Sequence, residues 1–143
     1  MEQENLGSIL FLDVDGVLNR VGTKERSCHG TYGIEPSKAA MVLEIVEKTF
    51  CSVVVSSSWR KYDDLYAEII RSIPNVVIGR TPVDRSGAYK CRGEEILQWI
   101  KSNSDISPFE EVFVHTDARE GLTHELKNRA ISLMNEQEPR LYV

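Results

Sequence analysis

The chain is poor in the features that announce many function classes. It has only three cysteines, Cys28, Cys51 and Cys91, odd in number and scattered. That pattern argues against a disulfide framework and for a reducing compartment. No Cys-x-x-Cys pair occurs. Cys28 stands beside His29, which is the start of a metal site, but no matching pair follows in sequence, so zinc is not expected. There is no basic excess: 17 Lys and Arg face 22 Asp and Glu, for a net charge of −5 and a pI near 5.2. Non-specific nucleic-acid binding through overall charge is therefore not indicated, although a small basic site remains compatible with the balance. No apolar run approaches the ~20 residues of a membrane span. The opening MEQENLGS has neither a basic n-region nor an apolar h-region, so no secretory signal is expected and the cytoplasm is the expected location. Repeats and low-complexity linkers are absent too. What remains is the balance of an ordinary soluble globular protein, 41% hydrophobic and 27% charged. The 143 residues suggest one domain spanning residues 1–143. A domain of this size buries roughly 70% of its unfolded surface.

The hydrophobic pattern alternates between strand and helix. Ser8 to Val14 reads as a short buried strand, and residues 15–36 as a loop rich in glycine. Ala39, Leu43, Val46 and Phe50 fall on one helical stripe, with Pro36 or Ser37 at its start. Ser52 to Val55 is a β-branched strand. Tyr62, Leu65, Ile69 and Ile73 form a second stripe, which Pro74 ends. Asn75 to Ile78 is a third strand, and residues 79–91 are loop. Glu94 to Lys101 is a helix with Ile96, Leu97 and Ile100 inward. Glu111 to Val114 is a fourth strand. Thr123 caps a last helix with Leu126, Ala130 and Leu133 on one side. Leu141 to Val143 is a final short strand. Strands separated by helices of about three turns imply an α/β protein with a parallel sheet, whose ligands sit beyond the carboxyl ends of the strands. Asp13, Ser57 and Asp117 all lie just past such ends.

The segment ILFLDVDGVLN, residues 9–19, drives an apolar strand straight into two carboxylates. Residues i and i+2 of a strand share a face, so Asp13 and Asp15 both address one site, and Gly16 permits the sharp turn behind them. Two close carboxylates repel, and a hard cation with oxygen ligands, Mg²⁺, suits the pair. Two solvated acids in an Asx turn are the plain alternative for the bare Asp-x-Asp-Gly.

The wider string FLDVDGVLN resembles the first motif of the haloacid dehalogenase (HAD) superfamily of phosphatases and phosphotransferases. The resemblance implies that Asp13 attacks phosphorus and Asp15 serves as general acid and base. It also implies a serine or threonine at the end of the second core strand; in SVVVSSSWR, residues 52–60, Ser57 fits best and Ser56 is the alternate. Trp59 reads as packing, and Arg60 as a solvated arginine, with reach to a phosphate as its other reading. A basic residue at the start of the helix before the last catalytic strand is implied as Arg92, with Lys90 as runner-up. Together with GRTP (79–82) and RGEEILQWI, these pieces resemble the HAD domains of Swiss Army knife RNA-repair proteins, relatives of polynucleotide phosphatases. The resemblance covers roughly residues 8–135. It implies a three-layer, Rossmann-like HAD core with a mostly parallel sheet. Neither the gap at 17–36 nor that at 60–91 holds a folded cap domain, so the site is expected to be open.

The fourth motif departs from the pattern. The resembling branch has a strand ending in Asp-Asp, then a loop, a second strand and a segment like TD…GLT. Here EEVFVHTDAREGLT holds Thr116, Asp117, Gly121, Leu122 and Thr123 but no Asp-Asp pair, as if one strand did duty for two. Either Asp117 supplies the missing Mg²⁺ ligand, with Glu120 as a helper, or the third ligand is absent. His115 reads as a core histidine. The expected activity is Mg²⁺-dependent hydrolysis of a phosphomonoester, with metal ligands Asp13, Asp15 and Asp117. The expected partner is a nucleotide or nucleic-acid phosphate. The loop at 20–33, with Arg20, Lys24, Arg26 and His29, is the one locally basic segment and a candidate for a substrate phosphate. A catalytically impaired HAD-like binding protein is the rival reading. A receiver phosphorylated on Asp13 is disfavoured by the early Asp-x-Asp-Gly and the lack of a late-strand lysine.

Overall fold

The computed structural model describes residues 9–83, 92–103, 111–113, 116, 119–137 and 140–142. The elements run β1 (Ile9–Leu12), α1 (Pro36–Thr49), β2 (Ser52–Val55), a 3₁₀ turn (Ser58–Lys61), α2 (Asp63–Ser72), β3 (Val77–Arg80), α3 (Arg92–Ser102), β4 (Glu111–Phe113), α4 (His124–Gln137) and β5 (Arg140–Tyr142). The five strands form one parallel sheet in the order β3-β2-β1-β5-β4. Parallel sheets need cover on both faces, and the side chains of β1 and β2 divide accordingly. Leu10, Leu12, Val53 and Val55 join the cluster built with α1, α2 and α4. Ile9, Phe11 and Val54 pack instead with Ile96, Trp99 and Ile100 of α3. All four residues of β1 are 0–2% exposed. Each such side chain contributes about 1.5–3 kcal/mol by leaving water, so β1 is the natural centre of the sheet. These are the three layers of a Rossmann-like core.

Pro36 opens α1, where its missing N–H costs nothing. The helix ends at Phe50, whose φ of 57° is left-handed and whose N–H reaches Val46 O. The expected stripe through Leu43, Val46 and Phe50 is corrected here. The buried face runs through Ala39, Val42 and Ile45, while Leu43 and Val46 lie at its margin and Phe50 is 85% exposed. A similar one-step rotation occurs in α3: Leu97 is about half exposed, and Trp99 packs edge-on against Phe11. The third strand begins two residues later than expected, because Asn75 takes a left-handed turn after Pro74. Thr123 caps α4 as expected, accepting the Leu126 N–H.

The strand slots hold a second correction. β4, which precedes the Thr116–Thr123 segment, lies at the sheet edge and does not serve for two strands. β5 takes the place between it and β1, pairing Leu10 with Leu141 and Phe11 with Tyr142. Neither described strand ends in an acidic pair.

The segment before α4 docks onto the loop after β1. The Leu122 N–H donates to Val17 O, and Lys38, buried in α1, donates from Nζ to Leu122 O. Gly121 sits between these contacts at φ 66°; a Cβ there meets Asn19 O at 2.6 Å and Val17 O at 3.0 Å. Gly121→Ala is expected to destabilise by roughly 2 kcal/mol, since left-handed strain and a backbone clash add. Urea unfolding checks this, with a lower midpoint and an unchanged m-value.

A second tie joins α1 to α4. Glu44 accepts a hydrogen bond from Lys127 Nζ at 2.9 Å and pairs with Lys48 at 3.0 Å. The Lys127 hydrogen bond, then that of Lys48, holds the Glu44 carboxyl below its usual range. A depressed carboxyl stabilises the fold above its unfolded pKa, and that contribution disappears as pH falls through the folded one. Glu44→Gln is therefore expected to flatten the loss of stability on acidification, measured as denaturation midpoint against pH.

Candidate active site at the carboxyl end of the sheet

Asp13 and Asp15 leave the end of β1 together. The Asp13 carboxylate accepts the Val14 N–H at 2.7 Å. Asp15 Oδ1 accepts from Asn19 Nδ2 at 3.1 Å and from Trp59 Nε1 at 3.3 Å. Asn19 is 2% exposed and its amide is fully used. Its Oδ1 accepts the Gly16 N–H, and its Nδ2 also reaches Gly33 O. Gly16 takes φ 80°, as the turn requires. Asn19 thus closes the Asp-x-Asp-Gly turn on itself and sets the orientation of Asp15. Trp59, expected only to pack, is both buried and a donor to this carboxylate.

β2 brings two serines to the neighbouring position. The register Leu12–Val55 continues into a Ser56 N–H bond to Leu12 O. By strand alternation Ser56 shares the α3 side of the sheet with Asp13. Ser56 Oγ is buried and has no hydrogen-bond partner among the described residues. Ser57, the preferred serine, is fully buried and its Oγ accepts the Trp59 N–H at 3.2 Å, capping the 3₁₀ turn.

Arg60 corrects the expectation of a solvated arginine, being only 3% exposed. Its guanidinium donates to Ser57 O at 2.6 Å, Thr81 O at 2.9 Å and Pro82 O at 3.1 Å. It also pairs with Glu95 at 2.6 Å. One side chain therefore joins the serine turn, the GRTP segment and the first turn of α3. Arg92 opens that helix, as expected for the basic position; its side chain lies outside what the structure describes. Lys90, His115 and Asp117 lie outside the described residues as well. Thr116, next to Asp117 in sequence, donates from Oγ1 to Gly16 O at 2.6 Å. Glu120 is exposed.

The basic loop does not present its charges together. Arg20 is paired with Glu35 at 3.1 Å, and Arg26 lies over the Tyr32 ring. His29 contacts both carboxylate oxygens of Asp64 at 3.0 Å. The neighbouring Cys28 thiol is pushed up to about 11, first by its hydrogen bond to Glu68. His29 lowers the Asp64 carboxyl by hydrogen bonding. Sequence reasoning had no signal for Asp64 and Glu68 as neighbours of Cys28 and His29, because 35 or more residues separate them.

A buried aliphatic sheet has thus delivered two carboxylates, two serines and the start of a helix to one end. With this arrangement in view, a family model describing the HAD domain in Swiss Army Knife RNA repair proteins matches residues 9–132. The chain belongs to that family, whose chemistry is of the phosphatase, hydrolytic type. Comparison with curated proteins and with solved structures gives no match. Among the described residues no helix is long and apolar enough to cross a membrane.

Arg60→Ala is expected to destabilise by about 3 kcal/mol, because it strands the Glu95 carboxylate and three carbonyls. Arg60→Lys should recover only part of this, lacking the planar fork. Denaturant midpoints of the three proteins check the order.

Proposed function

We propose that the chain is a Mg²⁺-dependent phosphomonoesterase that acts through an aspartyl-phosphate on Asp13, with a phosphorylated nucleotide or nucleic-acid end as substrate. The observation that carries the proposal is the pair of carboxylates at the end of the buried central strand, with Asp15 held by Asn19 and Trp59. Hard oxygen donors of this kind fit Mg²⁺. Asp13 and Asp15 would hold the ion, and Asp117, directly after the Gly16-bound Thr116, is the proposed third ligand. Bound there, the ion would polarise the phosphoryl group and offset the crowding of negative charge.

In the proposed reaction Asp13 attacks phosphorus and the bond to the leaving oxygen breaks. Asp15 gives that oxygen its proton. Asp15 then takes a proton from water as the water attacks the phosphorus of the aspartyl-phosphate, releasing phosphate and restoring Asp13. Hydrogen bonds from Asn19 and Trp59 to Oδ1 would orient the Asp15 carboxyl for this transfer. Ser57, chosen by resemblance to the family pattern, would donate its hydroxyl to the phosphoryl group, with Ser56 as the alternate. Ser56 supports the same role, as a buried hydroxyl for which a phosphoryl oxygen is a fitting partner. Arg92, at the start of α3, would offset the charge of nucleophile and phosphate. The RNA-repair association of the family supports a phosphorylated nucleic-acid end, as does the lack of a helix or strand between β1 and α1 that could cap the site.

One observation favours a second reading, a HAD-like binding protein with weakened catalysis. The strand beside β1 is β5, and its described residues bring no carboxylate to the site. Activity separates the two. The wild type is expected to hydrolyse an aryl phosphate and a 3′-phosphorylated oligonucleotide only with Mg²⁺. Asp13→Asn should lose on the order of a thousandfold or more in kcat/KM. Folded wild type that is inert at saturating Mg²⁺ would favour the binding protein.

A further inference from the structure

The cluster at Cys28 plays no part in the proposed phosphatase chemistry. Cys28 and His29 lie in the loop between β1 and α1, and Asp64 lies in the first turn of α2. The Cys28 sulfur, a His29 ring nitrogen and an Asp64 carboxylate oxygen all lie within 4.8 Å of one another. Tetrahedral zinc, with bonds of about 2.0–2.3 Å, needs its donors roughly 3 to 4 Å apart. His29 and Asp64 already approach to 3.0 Å. Glu68 stands one turn beyond Asp64 on the same face of α2, and its Oε1 accepts the Cys28 N–H at 2.6 Å. The His29 ring also leans edge-on against Tyr62, with centroids 5.1 Å apart. Two loop residues and two helix residues therefore hold one another in place across a long sequence separation.

The chemistry of the set is selective. A thiol, an imidazole and a carboxylate together suit a borderline divalent ion such as Zn²⁺, and a thiol is a poor donor for Mg²⁺. Two carboxylates beside the thiol make the surroundings negative, which disfavours a bare thiolate and favours a cation. All three donors are exposed, so an ion reaches them directly and solvent completes the shell.

We propose that Cys28, His29 and Asp64 form a Zn²⁺ site, steadied by Glu68, that staples the loop after the nucleophile strand to α2. The site is separate from the carboxylates at the end of β1 and stands whether or not that centre hydrolyses phosphate.

The test uses Co²⁺ as a spectroscopic probe, added to the 143-residue chain in a non-thiol reductant with excess Mg²⁺ to occupy all-oxygen sites. One equivalent should bring a near-ultraviolet thiolate-to-cobalt charge-transfer band and strong visible bands, both abolished by Zn²⁺. Cys28→Ser should remove the charge-transfer band while leaving the far-ultraviolet dichroism unchanged. Glu68→Gln should retain the band but weaken affinity by about tenfold. Zn²⁺ should raise the Tm of the wild type and not that of Cys28→Ser. Absence of the band in folded wild type, or its persistence in Cys28→Ser, overturns the proposal and leaves an ion-pair cluster only.

Discussion

The turn that leaves β1 is the point on which the rest of the molecule depends. β1 is buried on both faces, so its carboxyl end is the first place where that part of the chain can carry polar groups. It carries two carboxylates there at once. Holding them takes backbone closure by Asn19, a donor from Trp59, and contacts from a segment about a hundred residues away through Thr116 and Leu122. The GLT motif is therefore structural: Gly121 permits a close approach that any side chain would block. Lys38 then secures the Leu122 carbonyl from α1.

Arg60 does for β2 and α3 what Asn19 does for β1. A buried guanidinium costs desolvation unless its donors are satisfied, and here three carbonyls and the Glu95 carboxylate satisfy them. The geometry of the serine turn and the placement of the helix that begins at Arg92 are thereby coupled.

Much of this was legible in sequence because it is local. The apolar run into Asp13, the proline at the start of α1 and the cap at Thr123 all depend on near neighbours. Helix faces were less legible, because α1 is apolar over a wide arc. Leu43, Val46 and Phe50 made a plausible stripe, and only packing against α4 selects Val42 and Ile45 instead. Trp59 and Arg60 were under-read for a related reason: burial of a polar side chain is decided by distant carbonyls and carboxylates. Cys28 and His29 were set aside because their partners lie on α2, beyond the reach of any spacing rule. The break in the fourth motif was visible, but not its structural answer, in which β5 takes the place beside β1.

The family match over residues 9–132 gives the chemistry its class, and the carboxylate pair is its proposed location. The central claim is that Asp13 takes up the phosphoryl group. Its most direct test is to mix Asp15→Asn, in which breakdown of the proposed intermediate should be slowed, with Mg²⁺ and an aryl phosphate. The reaction is quenched in acid, and the phosphoryl group is mapped by peptide mass spectrometry. The account predicts one phosphoryl group on the peptide holding Asp13, removed by hydroxylamine and absent when Asp13 is also replaced by Asn. A phosphoryl group on a serine, or none while the variant still turns over substrate, would contradict it.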